Sequence, residues 1–443
     1  MQRTLISKTL NKVGQEVVIE GWVNTRRDHG KIIFIDLRDR TGLLQVVFVG
    51  IEEAKELRSE WVVEITGLVK ERPEKLVNPK IATGKIEIEA KSLKILAKAE
   101  ELPFDTGVEN LNVSLPVLLD FRSLSLRHPK NRAVFKVQET VISSFREILT
   151  KLGFTEIQVP TIVPNITEGG SQVFKIKYFE NEAFLGQSPQ LYKQIMVGVF
   201  ERVFTLAHAY RAEPSVTTRH MTEYLGLDAE MGFIRDFDEI METVEILLRG
   251  IFKAMAEECS EELEMFSAVL PSLSDKIPRL KMREAQQVIF ERTGRDNRNE
   301  PDLEPEDERE ICRYVLEKFK SELVFITHYP TEKRPFYTYP DPKDPDYTCS
   351  FDLLGRGLEW ITGGQRINDY QTLVDNVRKW GNKPEDFAIY LQAFKYGMPP
   401  EGGFCLGAER ITMQILGLEN IRQASLFPRD MERIDIRLSR PEK

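Results

Sequence analysis

Apolar and polar residues alternate in two short segments between residues 203 and 231, on either side of a charged loop. In the second segment Leu225, Leu227 and Ala229 fall on one face, while the residues between them are polar or small. A period of two over this length predicts a β-strand, and the two segments together predict a hairpin.

Positive charge is concentrated at the turn of this predicted hairpin. Arg211 ends the first strand, and Arg219 and His220 lie in the loop. Arginine presents a planar fork to phosphate, and a second arginine with a histidine can neutralise outer phosphates. The hairpin therefore predicts a site for a polyanion with a flat base, such as ATP. A solvated hairpin with ordinary surface charge explains this stretch equally well.

Strand-like alternation also dominates the region near the N-terminus. The strand candidates there, separated by turn signals, are residues 17–23, 32–37, 43–49, 61–69 and 85–88. Five short strands in this length fit an OB-type barrel. We expect this barrel domain to occupy residues 1–100. Residues 101–120, which have no sustained period, would then form a linker.

The second predicted strand of the barrel carries an aromatic residue on its outward face. Ile33 and Ile35 face inward, so Phe34 points outward among charged residues. This arrangement suits stacking on an unpaired nucleic-acid base, whereas a loop that covers Phe34 is the structural alternative. Gln45 on the next strand could read a base edge, and Arg27 could hold a phosphate.

The remaining residues, 121–443, are expected to form one larger domain in which 235–330 is mainly helical. The first helix of this domain begins near Arg132. The apolar stripe of this helix is wider than packing one face against a core requires. The strand that follows is interrupted by Pro160, which places it at a sheet edge or ends it. A helix with a wide apolar stripe beside an edge strand suggests a subunit interface. The alternative is that the whole stripe is buried in the core of a single subunit.

Two further blocks carry candidate chemistry. Asp352 and Glu359 fall on two consecutive strand candidates, where facing carboxylates could hold Mg²⁺ that phosphates also bind. Near the C-terminus, a glycine-rich strand enters a helix at 407–410, and Arg410 lies in its first turn, where anions are favoured. Neither GxGxxG nor GxxxxGK[ST] occurs at this junction, so no Rossmann or P-loop site is indicated.

Composition and charge narrow the class of protein. The 443 residues carry a net charge of −9, but residues 1–100 hold 18 Lys and Arg against 15 Asp and Glu. A mildly basic first domain on an acidic body is compatible with binding one specific RNA. Four dispersed cysteines, no long apolar run and no signal-like N-terminus lead us to expect a cytoplasmic protein without a membrane span.

Three blocks occur in the order of the signature motifs of class II aminoacyl-tRNA synthetases. They are the wide helix with the Pro160 strand, Tyr210-Arg211-Ala212-Glu213 with Arg219-His220, and Gly407-Ala408-Glu409-Arg410. With the barrel, the chain resembles the aspartyl, asparaginyl and lysyl branch (subclass b), and it is most similar to archaeal-type aspartyl-tRNA synthetases. That similarity is carried by residues 183–193, 334–337, 350–352 and 426–430, and it covers nearly the whole chain.

The resemblance implies an α+β protein: an N-terminal five-stranded OB-fold barrel that binds the anticodon, and a catalytic domain with an antiparallel β-sheet flanked by helices. It implies a homodimer in the cytoplasm that joins L-aspartate to tRNA-Asp through an aspartyl-adenylate, with ATP as substrate and Mg²⁺ as cofactor. An asparaginyl-tRNA synthetase on the same scaffold is the alternative enzyme. A catalytically silent RNA-binding relative and a tRNA-independent asparagine synthetase are further alternatives.

Site residues follow from the resemblance, position by position. The residues implied at the ATP site are Arg211, Glu213, Arg219, His220, Met221, Glu359, Gly407, Ala408, Glu409 and Arg410, with Arg211 and Arg410 as the catalytic pair. Those implied at the aspartate site are Glu168, Gln190, Lys193, Arg211, Thr362 and Arg366. Those implied for Mg²⁺ are Asp352, Glu359 and Thr362, and those for the anticodon are Arg27, Phe34 and Gln45.

Two departures from the family pattern concern the amino-acid pocket and the recognition of the anticodon. Glu401 stands where the family usually has histidine in Pro-Pro-His-Gly-Gly, so an anion replaces a cation beside the amino-acid pocket. Asn24 lies in the stretch that helps archaeal-type enzymes to tell the aspartate anticodon from the asparagine anticodon. We see no bulky or strongly selective group at residues 78–84 either, which favours relaxed recognition of both tRNA-Asp and tRNA-Asn.

Overall fold

A computed structural model describes residues 2–166, 173–212 and 217–438. The predicted site residues Glu168 and Glu213 therefore lie outside the described residues. Within the described ranges, no helix is both long enough and apolar enough to cross a membrane. The chain divides into two compact units, Met1–His128 and Pro129–Lys443.

The first unit is built on a closed five-stranded barrel in the order β1-β2-β3-β5-β4, which confirms the predicted OB-fold. Its strands are β1 (Glu16–Asp28), β2 (Ile32–Asp39), β3 (Gly42–Val49), β4 (Val62–Glu71) and β5 (Ile86–Ala97). Alternate residues fill the interior, for example Ile33, Ile35 and Leu37 of β2, which are buried. Their neighbours on the same strand therefore face outward.

Two short helices end the first unit, α1 (Leu115–Asp120) and α2 (Arg122–Ser125). Helix α1 lies within the stretch expected to be a linker. Its proline, Pro116, lies in the first turn of the helix. The backbone N–H groups of the first turn have no acceptor within the helix, so proline loses no hydrogen bond there. The stretch is too short to show a helical period in the sequence.

The second unit contains the remaining elements. Its helices are α3 (Pro129–Lys151), α4 (Gln190–Phe200), α5 (Asp238–Glu258), α6 (Ser260–Met265), α7 (Met282–Thr293), α8 (Pro305–Phe319), α9 (Tyr370–Lys379), α10 (Ala388–Lys395) and α11 (Ala408–Leu416). Its strands are β6 (Thr155–Glu156), β7 (Ile162–Val163), β8 (Lys175–Tyr178), β9 (Asn181–Leu185), β10 (Arg202–Tyr210), β11 (Glu223–Gly232), β12 (Arg279–Lys281), β13 (Leu323–Thr327), β14 (Pro340–Asp341), β15 (Asp344–Thr348), β16 (Ser350–Gly355), β17 (Leu358–Gln365) and β18 (Glu401–Gly407).

Eight of these strands form the central sheet, in the order β12-β13-β16-β17-β18-β11-β10-β6. Its pairs are antiparallel except for the outermost one at each end, which is parallel. Strands β10 and β11 pair along their whole length, from Arg202 opposite Met231 to Tyr210 opposite Glu223, so the predicted hairpin is present. Leu227 and Ala229 are buried in the apolar core, and Asp228 and Glu230 occupy the alternate positions of β11.

Helix α3 covers this core with its apolar stripe. Val137, Val141 and Phe145 are fully buried, and Phe135 and Ile142, which widen the stripe, are half-buried against the same core. The predicted Pro160 strand consists of two short strands, β6 and β7, with Pro160 between them. Because proline cannot donate to a ladder, pairing is interrupted there. Strand β6 is the edge of the sheet, as the position of the proline predicts.

Candidate active site

A cavity of about 390 Å³ opens above the centre of the large sheet. The predicted site residues that line it are Gln190, Arg211, Arg219, His220, Met221, Glu359, Thr362, Arg366, Gly407, Glu409 and Arg410. They come from distant parts of the chain, and the sheet brings them together because β11, β18 and β17 are neighbours. Among the described residues, the cavity thus gathers most of the positions that the family resemblance implies.

One side of the cavity contains a cluster of buried charges. Lys193 of α4 lies with its Nζ 2.7 Å from Asp228 Oδ1 and 3.2 Å from Glu230 Oε2. Arg366 Nε donates to Glu230 Oε1 at 2.8 Å, and Gln190 Nε2 donates to the same oxygen at 3.2 Å. Buried charges persist only when they are paired, and here each cation has a carboxylate partner.

The pKa values in this cluster shift as paired charges require. Burial disfavours the charge on Lys193, but Asp228 and Glu230 outweigh burial and raise its pKa. Burial likewise opposes ionisation of Glu230, yet Arg366 and Lys193 together lower its pKa. Lys193 and Arg366 therefore remain cationic, and Glu230 remains anionic.

This pairing corrects one part of the sequence interpretation. The aspartate-site residues that the resemblance implies include two cations, Lys193 and Arg366, and if they were unpaired a substrate carboxylate would neutralise them where asparagine could not. In the structure Asp228 and Glu230 already neutralise both cations. A bound substrate carboxylate would share these cations with Asp228 and Glu230. Selectivity for aspartate over asparagine therefore depends on the charge balance of the whole cluster.

The other side of the cavity holds the carboxylates of the strand pair β16 and β17. Arg410 Nη1 lies 3.0 Å from Glu359 Oε1, and Arg334 Nη2 donates to Asp352 Oδ2 at 2.8 Å. Burial raises the pKa of Glu359, Arg410 opposes that rise, and the nearby Asp352 adds to it. Arg334 Nη1 also donates to Thr362 Oγ1, at 3.2 Å. The residues implied for Mg²⁺ thus belong to one network.

These residues fit a magnesium ion that is shared with phosphates. Asp352 Oδ1 is buried and has no hydrogen-bond partner in the described structure. In the same parts of the chain, no three His, Cys, Asp or Glu side chains form a cluster able to hold a metal ion. Magnesium is commonly held by one or two carboxylates together with substrate phosphates and water. Asp352 and Glu359 match that pattern.

The arginines of the hairpin turn line the mouth of the cavity. The guanidinium of Arg211 lies 5.5 Å from the ring centre of Tyr224, within cation–π range. Arg219 Nη1 lies 3.4 Å from Glu308 Oε2 of α8. Burial and the neighbouring Glu359 raise the pKa of Glu308 to about 7. Arg219 therefore has a carboxylate partner at the cavity.

The glycine-rich block ends β18 and begins α11, as the strand-to-helix pattern predicts. Gly407 caps the helix, and Ala408 and Glu409 form its first turn. Both carboxylate oxygens of Glu409 accept from the backbone N–H of Leu225, at 3.1 and 3.2 Å. Burial raises the pKa of Glu409 to about 7. This residue ties α11 to β11 beside the cavity.

The barrel residues implied for the anticodon differ in exposure. Phe34 is half-buried and makes an edge contact with His29, with ring centres 5.6 Å apart. Gln45 is only 7% exposed, and its amide donates to Glu87 while its oxygen accepts from Arg27. Asn24 is also buried and accepts from Arg38. Phe34 and Arg27 are therefore accessible to a ligand, although Arg27 also pairs with Asp36, whereas Gln45 and Asn24 are buried with their partners.

Four charged residues of the site carried no signal that we recognised in the sequence. Asp228 and Glu230 appeared only as the polar face of a strand, and Arg334 appeared only within a family motif. Glu308 lies in a helical region in which we found no motif. The available clue was that Asp228 and Glu230 alternate with core residues on one strand. Both faces of a central strand are covered, so acidic residues on its second face must be buried and need partners.

Comparisons with known proteins agree with this geometry. A family profile described as tRNA synthetases class II (D, K and N) matches residues 114–431, and one described as an OB-fold nucleic acid binding domain matches residues 17–96. The Aspartate--tRNA(Asp/Asn) ligase of Thermus thermophilus is 43% identical over 98% of this chain and 99% of its own length. The Aspartate--tRNA(Asp) ligase of Pyrococcus abyssi is 39% identical over 97% of this chain and 98% of its own length.

A solved structure extends the comparison to three dimensions. The asparaginyl-tRNA synthetase of Pyrococcus horikoshii, complexed with asparaginyl-adenylate, superposes with a TM-score of 0.88 at 32% identity. The match covers 98% of this chain and 99% of that one. The scaffold is thus shared by proteins named for aspartate and for asparagine.

Proposed function

The chain belongs to the class II tRNA synthetases of the D, K and N group, and we propose that it joins L-aspartate to tRNA with ATP as the energy source. The observation that carries the amino-acid assignment is the buried charge cluster of Lys193, Arg366, Asp228 and Glu230, of which Arg366 and Asp228 line the cavity. Full-length relatives named as aspartate--tRNA ligases support the same assignment.

Amino-acid activation needs alignment and charge stabilisation and no nucleophilic side chain. The α-carboxylate of aspartate attacks the α-phosphorus of ATP, the new C–O–P bond forms, and pyrophosphate leaves. Arg211 and Arg410, which both line the cavity, would stabilise the charge that develops at phosphorus. Asp352, Glu359 and Thr362 would hold Mg²⁺, which supplies further neutralisation of phosphate charge when bound.

Asparagine activation is the second candidate, because the same scaffold occurs in an asparaginyl-tRNA synthetase. A side-chain carboxylate could share the cationic Arg366, which lines the cavity, with Glu230, whereas an amide could not make that charged contact. ATP–pyrophosphate exchange with each amino acid separates the two. We expect exchange with aspartate and little with asparagine. Exchange with asparagine alone would overturn the proposal, and exchange with neither would favour a silent RNA-binding relative.

We further propose that both tRNA-Asp and tRNA-Asn are substrates. Asn24 is engaged by Arg38, and the exposed Lys80 is the one charged residue in the loop 78–84, all of which the structure describes. A strict enzyme would reject the wrong anticodon base through a clash or an unmet hydrogen bond, each worth about 1–3 kcal/mol. Aspartylation of the two purified tRNAs side by side should give comparable rates. A preference of several hundred-fold for tRNA-Asp (~3–4 kcal/mol) would contradict relaxed recognition.

The enzyme would work as a cytoplasmic homodimer. The four cysteines are free thiols, as expected in a reducing compartment. The edge strand β6 and the half-buried side of α3 support a subunit contact at this edge of the sheet. A tRNA-independent asparagine synthetase is disfavoured because the chain carries an anticodon-binding type of barrel.

A further inference from the structure

Glu401, at the start of β18, is completely buried behind the amino-acid side of the cavity. Gln194 Nε2 of α4 donates to its Oε1 at 2.6 Å. Among the described residues, its other oxygen, Oε2, is buried and has no hydrogen-bond partner. An ionised carboxylate oxygen in such a position would be costly to bury, so the chemical state of Glu401 needs an explanation.

The register of the sheet brings Glu401 towards Glu230. Strands β11 and β18 pair with Glu230 opposite Gly403 and Gly232 opposite Glu401. The two glutamates are therefore diagonal neighbours on one face, a separation that long side chains can bridge. The glycines opposite them carry no side chain that could come between. A Cβ added to Gly403 would lie 2.3 Å from Glu230 Oε2, so that oxygen occupies the space above the glycine.

The charge balance of the pocket then depends on Glu401. Lys193 and Arg366 are balanced by Asp228 and Glu230. An ionised Glu401 would add a third carboxylate and make the pocket negative before an anionic substrate arrives. Burial and the nearby Glu230 raise the pKa of Glu401 well above its usual range, while Gln194 and Arg366 only partly oppose this rise.

We propose that Glu401 is a positioning residue of the aspartate pocket: it keeps a proton at neutral pH and donates it in a hydrogen bond to Glu230. This inference rests on the proposed aspartate activation. The shared proton joins two carboxyl groups that would otherwise repel each other. It leaves Glu230 free to hold Arg366, whose backbone N–H also donates to the carbonyl oxygen of Glu401 at 2.9 Å. Glu401 thus supports the side chain and the backbone of the same arginine.

The groups that interact with Glu401 from the neighbouring elements are Gln194 of α4, Glu230 of β11, Arg366 after β17 and Tyr390 of α10. Lys193, Asp228 and Cys405 belong to the same buried cluster through their contacts with Glu230 and with one another. Burial raises the pKa of Tyr390 and of Cys405 well above their ordinary values. Both groups therefore keep their protons at neutral pH and carry no charge beside Glu401.

The expected pH dependence has a definite sign. As pH rises through the pKa of Glu401, the proton is lost, the pocket becomes negative and Glu230 is repelled. The KM for aspartate should therefore rise at alkaline pH, with a smaller change in kcat. Glutamine keeps an N–H donor in place of the carboxyl O–H and cannot ionise. Glu401→Gln should therefore change this KM at neutral pH by less than about threefold and should remove its alkaline rise.

The test measures ATP–pyrophosphate exchange over a pH series for wild type, Glu401→Gln, Glu401→Ala and the exposed control Glu385→Gln. The alanine variant should raise the KM for aspartate by more than about tenfold, since Gln194 and Glu230 lose their partner. Glu385→Gln should reproduce the wild-type profile. A flat wild-type profile, or a rise of more than about tenfold in Glu401→Gln at neutral pH, would overturn the proposal.

Infrared spectroscopy gives a readout that needs no activity. Glu308 and Glu409, whose pKa values are raised to about 7, titrate in both proteins and cancel in the difference between the wild-type and Glu401→Gln spectra. That difference should contain a carboxylic-acid carbonyl band that disappears as the pH is raised from neutral, and its absence would refute a protonated Glu401. Failure of the proposed function is distinguishable, because wild type would then show no exchange with aspartate at any pH.

Discussion

Lys193 and Asp228 form an ion pair with 2.7 Å between Nζ and Oδ1, and neither side chain has more than 2% of its surface exposed. The pair joins α4 to β11 in the wall of the cavity. Removing one partner of a buried pair leaves an uncompensated charge, which is more damaging than removing both. The pair would therefore couple the stability of the domain to the proposed amino-acid recognition.

Lys193→Met should lower the free energy of unfolding by about 3–5 kcal/mol and abolish exchange with aspartate. The double variant Lys193→Met with Asp228→Asn should regain part of that stability and remain inactive with aspartate. Denaturant unfolding and ATP–pyrophosphate exchange measure the two effects. Normal aspartate KM in the single variant would show that Lys193 does not take part in recognition.

Phe34→Ala in the barrel should weaken tRNA charging by about 1–3 kcal/mol through loss of stacking on a base. Amino-acid activation without tRNA should be unchanged, because its residues lie in the other unit. Val49→Ala, an exposed apolar residue of the same barrel, is the matched control and should affect neither activity. If Phe34→Ala reduces charging and activation equally, Phe34 has a structural role.

The buried Glu409 should make stability depend on pH between its two pKa values. Burial raises its pKa from 4.5 to about 7 in the folded chain, so the folded state binds the proton more tightly. Its contribution is fully present below pH 4.5 and is lost as pH rises towards about 7, by about 1.4 kcal/mol per unit of pKa difference at most.

Glu409→Gln cannot titrate and keeps an oxygen that can accept from Leu225. Its unfolding free energy should therefore fall less steeply than that of wild type over this pH range. Denaturant titrations at several pH values test this expectation. Identical slopes in the two proteins would mean that Glu409 is already ionised when folded.

The proposed homodimer should persist in sedimentation equilibrium at micromolar concentration. Ile162 of β7, next to the Pro160 interruption, is exposed in the single chain, and Ile162→Asp should shift the protein towards monomer. Val269→Asp, at a more exposed apolar residue of the same unit, is the control and should leave the mass unchanged. A wild-type monomer with full activity would contradict the dimer.

Local patterns were sufficient for much of the fold. Alternation identified the barrel strands and the β10–β11 hairpin because a strand repeats every two residues and its neighbours lie close in sequence. Pro160 marked the edge strand because a missing N–H excludes it from a central ladder. Helix α1 escaped detection because six residues are too few to show a helical period.

The sequence alone determined the types of element, the family and the positions of the arginines proposed to bind phosphate, since these depend on short motifs. Only the tertiary structure decided which charges neutralise each other. Lys193 and Asp228 are 35 residues apart, and Gln194 and Glu401 are 207 apart. Their contacts follow from strand order and register, which no local period encodes. The sheet therefore decides that Glu230 holds Arg366 and that Glu401 lies on the same face as Glu230.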